Sequence, residues 1–148
     1  MRQPYVTLVP DLRSSVEMRP GISLYRENRF KEALTYFENQ LRAKRIPNAV
    51  FYGLMGLASA GLGVPFLGFA VKDTMDPLYR ALGHSCFQLG EDEQAARYFM
   101  RVYGKTAADL AVMSISLRAI GRISLAESVA SMALKKGPKM EGFFNKTS

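Results

Sequence analysis

A chain of 148 residues has the length of one domain, enough to bury a continuous core but short for two. Its 48% hydrophobic and 22% charged residues, with no low-complexity run, exclude a disordered or fibrous chain. Twenty basic against thirteen acidic residues give a net charge of +7, which favours anionic partners, and a single cysteine excludes a disulfide within the chain and predicts a reducing, cytoplasmic setting.

Residues 1–13 read as an N-terminal extended segment, in which Tyr5-Val6-Thr7-Leu8-Val9 runs up to Pro10. Arg2, Asp11 and Arg13 interrupt any long apolar core, so no secretory signal is expected there. From residue 14 to residue 140 the chain repeats one pattern, and residues 141–148 form a C-terminal tail whose Phe143 and Phe144 are suited to packing on the last helix.

The pattern is a small residue, a turn-forming residue seven places on, and a small residue five beyond that. Gly21, Asn28 and Ala33 fit it, as do Gly56, Gly63 and Gly68, then Gly83, Gly90 and Ala95, and finally Ser114, Gly121 and Ala126. Two antiparallel helices crossing at small side chains need such an offset, and glycine or asparagine between them supplies the left-handed turn. Phe37 and Phe99 stand sixteen places after Gly21 and Gly83, where a ring is expected to fill the space between one hairpin and the next.

The second unit is predicted to open at Asn48 as an N-cap, to turn at Gly63-Val64-Pro65, and to end in a short helix before Asp76-Pro77. From Ala49 to Val71 it holds 23 residues without a charged side chain, long enough to cross a bilayer. Five glycines and the central Pro65 favour instead a buried hairpin between two neighbours, and a membrane is not the expected partner. Asp76-Pro77 reads as the N-cap and first residue of the third unit, and Thr106-Ala-Ala-Asp109 and Ser124-Leu-Ala-Glu127 read as capping boxes in the fourth.

GISLYRENRFKEALTYF and GHSCFQLGEDEQAARYF resemble the tetratricopeptide-repeat family, whose motif sets Gly or Ala, Tyr or Leu, Ala, Phe and Ala at these offsets. The resemblance implies an all-α fold of about four helical hairpins stacked as a short right-handed solenoid. It also implies a concave surface that holds a segment of another protein. Counted from the register residues, that groove would be lined by Met18, Ile22, Leu57, Arg80, His84 and Ile115. Such a lining is apolar with a basic flank, suited to an amphipathic helix or an apolar peptide rather than to a free acidic terminus. The implied function is a non-catalytic adaptor or chaperone, which eight methionines and an apolar second unit make compatible with an obligate heteromer.

Two basic patches, Arg42, Lys44 and Arg45, and Lys135, Lys136 and Lys139, support a second expectation, a ribosome- or RNA-associated factor on a helical scaffold. Part of that charge belongs to helix ends, where cations complement the carbonyl dipole. No phosphate loop, zinc-binding helix or serine elbow is present, so no enzyme and no cofactor are expected. One histidine and one cysteine are too few for a soft-ligand metal site. Cys86, three places after Gly83, falls on a buried helix position as a small core residue.

Overall fold

The computed structural model describes the backbone of residues 16–58, 64–138 and 144, and side chains over 16–44, 75–138 and 144. All regular structure among these residues is helical: α1 (Arg19–Arg26), α2 (Phe30–Ala58), α3 (Val64–Gln88), α4 (Asp92–Arg101), α5 (Ala107–Ala119) and α6 (Ile123–Lys136). Each helix packs on the next in the chain, and α3 also touches α5. One cluster of buried apolar side chains runs from Met18 to Ala133.

The turns follow the small-residue pattern. Asn28, Gly90 and Gly121 adopt φ of 62°, 80° and 84°, the left-handed conformation that asparagine and glycine occupy at least cost. Each ends its helix with backbone bonds back onto it, as Gly90 N–H does to Phe87 O at 3.1 Å. The crossings are equally specific. A Cβ added to Gly21 would stand 2.5 Å from the Phe37 ring and 2.6 Å from Tyr36, and one added to Gly83 would stand 2.9 Å from Phe99. Phe37 and Phe99 are fully buried by this close approach. Their rings thus fill the crossing within a hairpin, α1 on α2 and α3 on α4, rather than the expected space between one hairpin and the next, because the missing Cβ of Gly21 and of Gly83 leaves room for a ring there.

The expected breaks in the middle of the chain do not occur. α2 runs for 29 residues through Pro47 and Asn48, and α3 for 25 residues through Asp76 and Pro77. Three pairs of consecutive helices therefore replace the four expected, and residues 30–58 and 64–88 merge what were read as separate elements. Good helix formers flank both sites, among them Leu41, Ala43, Lys44 and Met55 on one side and Leu78, Arg80 and Ala81 on the other. Asp76 does not cap α3, because its carboxylate serves another backbone: Oδ1 accepts from Tyr103 N–H and Oδ2 from Gly104 N–H, both at 2.8 Å. Val64 and Pro65, expected in the turn, are instead the first two residues of α3, where the missing N–H of proline costs nothing. No helix of the described residues is long and apolar enough to cross a membrane.

One of the two capping boxes forms. Thr106 accepts from Asp109 N–H at 3.2 Å, and Asp109 accepts from Thr106 N–H at 2.9 Å, closing the start of α5. The Ser124–Glu127 box does not form, because α6 has already begun: its N-cap is Arg122, without a side-chain bond, and Ser124 O accepts from Ser128 Oγ inside the helix. The extended segment at residues 5–9, together with Gly63 and Phe143, lies outside the described residues; Phe144 packs against the core.

Candidate functional site

The residues read as a partner groove are mostly interior. Met18 and Ile22 are buried where α1 meets its neighbours, Arg80 and His84 are buried on α3, and Ile115 is half-buried against the core. Leu57 belongs to α2, with its side chain outside the described residues. Met18, Ile22, Arg80 and His84 therefore do not line an open surface in this structure.

Arg80 and His84 are instead spent on Asp109. One turn apart on α3, they reach the same carboxylate on α5: Arg80 Nε donates to Oδ2 at 2.8 Å and His84 Nε2 donates to Oδ1 at 3.0 Å. The His84 ring stands edge-on to Phe99, with centroids 4.9 Å apart. Asp109 is 1% exposed at the side chain and Arg80 8%, so each would be costly without the other. Burial by itself pushes the Asp109 carboxyl up. The hydrogen bond and charge of His84, the Thr106 N–H and the Arg80 guanidinium outweigh it and hold the group down at about 2.

The same residues tie down the connection between α4 and α5. Arg80 Nη2 donates to Gly104 O at 2.7 Å, Asp76 receives the two N–H groups of Tyr103 and Gly104, and Lys105 Nζ turns back onto Val102 O at 2.7 Å. Residues 102–106 are thus held by buried or half-buried charge from α3 and α5. Lys136 Nζ, from the end of α6, donates to Lys105 O and closes the ring of contacts.

On the outer side of this connection lies a cleft of about 330 Å³. Leu110 and Met132 give it an apolar lining together with the ring of Tyr103, and Lys105, Lys135 and Lys136 surround it. The fold brings the start of α5 beside the end of α6, so Lys105 and Lys136 meet although far apart in sequence. Lys135 and Lys136 belong to a patch read from charge. Tyr103, Lys105 and Leu110 were missed, and only the Thr106–Asp109 capping signal marked where their loop would be pinned. Arg42 and Lys44 lie apart on α2, where Lys44 pairs with Glu17 at 3.4 Å; the side chains of Arg45 and Lys139 are outside the described residues.

A second surface feature adjoins the cleft. α6 buries Ala126, Val129 and Ala133, yet Ile123, Leu125, Met132 and Leu134 on either flank of that strip remain 37% to 54% exposed. Leu125 and Met132, seven residues apart, lie on one side, and Ile123 and Leu134, eleven apart, on the other. The apolar arc of α6 is wider than the strip its own chain covers. Cys86 is buried, and burial pushes its thiol up to about 12, well away from nucleophilic behaviour at neutral pH. Among the described residues no group of three or more His, Cys, Asp and Glu side chains is placed to hold a metal ion.

No protein-family model, curated protein or solved structure matches this chain. The likeness to tetratricopeptide repeats rests on its residues alone.

Proposed function

We propose that the chain is a non-catalytic protein-interaction module, a small helical adaptor or chaperone whose hairpins stack in the manner of tetratricopeptide repeats. The stacking is supported by helices that pack in chain order and by the recurrence of one glycine–phenylalanine crossing in two hairpins. The interaction surface is not the series of first-helix positions expected from the register, most of which are core. It is the flank of α6 that holds Leu125 and Met132, and the observation that carries it is that these two large apolar side chains, two turns apart beside the buried strip, remain 40% and 54% exposed. Large apolar side chains left exposed together on one side of a helix mark a contact site, because solvating them opposes stability and solubility. The partner is the apolar side of another protein's helix.

A photo-crosslinking amino acid placed at Leu125 or Met132 tests this in native lysate, with Ser124 and Ser131 on the polar side of α6 as controls. The same discrete protein adduct at the first two positions, absent from the controls, is the expected result. Identical or absent adducts at all four positions would overturn the assignment. An adduct removed by ribonuclease would favour the basic ribonucleoprotein reading instead.

A further inference from the structure

We propose that the cleft between the α4–α5 connection and the end of α6 is a binding site for a small amphipathic anion, a carboxylate carried on an aliphatic or aromatic body. This goes beyond the partner face of α6 and does not depend on it. Volume, lining and charge all bear on it. About 330 Å³ is at the lower end of small-ligand sites, which are largely apolar with a few placed polar groups. Leu110, Met132 and Tyr103 supply the apolar part, and Lys105, Lys135 and Lys136 line the remainder.

Helix-end chemistry does not account for Lys105 and Lys136. Cations in the last turn of a helix complement its own free carbonyls. Lys136 gives its hydrogen bond elsewhere, to Lys105 O across the connection, and Lys105 gives its own to Val102 O. Both acceptors are neutral, so the charges are positioned without being cancelled. Among the described residues no acidic side chain forms an ion pair with Lys105, Lys135 or Lys136. Among the described residues, the carboxylates that act on Lys105 are already committed, Asp76 to two backbone N–H groups and Asp109 to Arg80 and His84. Partial burial lowers the pKa of Lys105, Asp76 and Asp109 pull it back up, and neighbouring Lys136 lowers it further. A bound anion would relieve the repulsion between Lys105 and Lys136. Because residues 102–106 are pinned from α3 and α5, one wall of the site is preorganised before any ligand arrives.

The test uses the purified full chain labelled with ¹³C at the methionine methyls, with the Met132 signal assigned from a Met132→Leu variant. Octanoate, acetate and octanol are titrated separately. Octanoate should shift the Met132 methyl saturably, with affinity about tenfold or more above that of acetate, which lacks the apolar body, and of octanol, which lacks the charge. Lys135→Gln with Lys136→Gln should weaken octanoate about three- to tenfold, since exposed ion pairs are individually modest. Arg42→Gln with Lys44→Gln, basic residues remote from the cleft, should leave it unchanged. Octanol binding as well as octanoate would show a greasy patch without anion recognition, and equal losses in the two double variants would show non-specific attraction. Either outcome, or an unsaturable shift, overturns the site. An unchanged ligand-free methyl spectrum in each variant establishes that it is folded.

Discussion

Basic side chains serve opposite ends in two neighbouring parts of this molecule. On α3, Arg80 and His84 point inward and are both bound by one buried carboxylate from α5; at the end of α6, Lys135 and Lys136 are exposed beside an apolar cleft. The first arrangement joins elements that lie 25 to 29 residues apart in sequence. The second leaves charge available to something else. The contrast teaches that charge type says little about role here, and that the presence of a committed counter-charge decides it.

The largest expected effect comes from breaking the inward set. Asp109→Ala leaves Arg80 and His84 buried without their carboxylate and opens the capping box of α5, and should lower stability by about 3–5 kcal/mol. A fall in the urea midpoint of that size is a large part of the 5–15 kcal/mol typical of a whole domain. A loss below about 1 kcal/mol would show that the network does not hold α3 on α5. Replacing Arg80, His84 and Asp109 together by apolar residues of similar volume sharpens the point. Such triads are often replaced at little cost, so the triple variant should be more stable than Asp109→Ala.

Next in size are the helix crossings, where the two hairpins can be ranked against each other. Alanine in place of glycine gains roughly 0.5–1 kcal/mol of helix propensity, but forcing a methyl into a filled crossing costs roughly 1–3 kcal/mol. Gly21→Ala meets two rings at 2.5 and 2.6 Å, whereas Gly83→Ala meets one ring at 2.9 Å. Gly21→Ala should therefore be clearly destabilising and Gly83→Ala less so, as read from thermal unfolding of each. The reverse order would mean that Phe37 and Tyr36 move aside more easily than Phe99.

The small residues at the crossings, Gly21 and Gly83, and the positive-φ turns at Asn28, Gly90 and Gly121 were legible in the sequence because they recur at fixed short offsets, whereas the seating of Phe37 and Phe99 inside the crossing rather than between hairpins was decided by packing. The Thr106–Asp109 box was legible for the same reason. What failed was whatever a distant element decides. Asp76 carries a good N-cap signal, but Tyr103 and Gly104 claim its carboxylate and α3 continues through Pro77. Arg80 and His84 occupy register positions that the resemblance assigns to a groove, yet Asp109 draws both into the interior. The cleft was half visible, since Lys135 and Lys136 are adjacent in sequence while Tyr103, Lys105 and Leu110 reach them only through packing.

The inward set also predicts an acid limb. The Asp109 carboxyl lies at about 2 in the folded chain against an ordinary 3.8, so the folded state favours its ionised form. The corresponding stability is present above the unfolded value near 3.8 and is lost as pH falls toward 2, amounting to about 2 kcal/mol across that window. Urea midpoints measured from pH 5 down to 2 should fall in the native chain and fall less steeply in Asp109→Asn, which is already destabilised at pH 5. Parallel slopes would assign the acid sensitivity to other carboxylates.

The smallest stability change is expected from the outward set, and its smallness is informative. Lys135 is exposed, pairs with no acidic side chain among the described residues, and lies in the last turn of α6, so Lys135→Gln sacrifices only a weak favourable interaction with the helix dipole. The urea midpoint should correspond to a change within about 0.5 kcal/mol, the ordinary range for a surface substitution. Octanoate affinity at the Met132 methyl should nevertheless fall. Stability and binding then separate at Lys135, whereas at Asp109 the loss of the carboxylate unpins residues 102–106 and should depress both. A large loss of stability in Lys135→Gln would mean that this lysine, like Arg80, is committed to the fold, and the division between inward and outward charge would collapse.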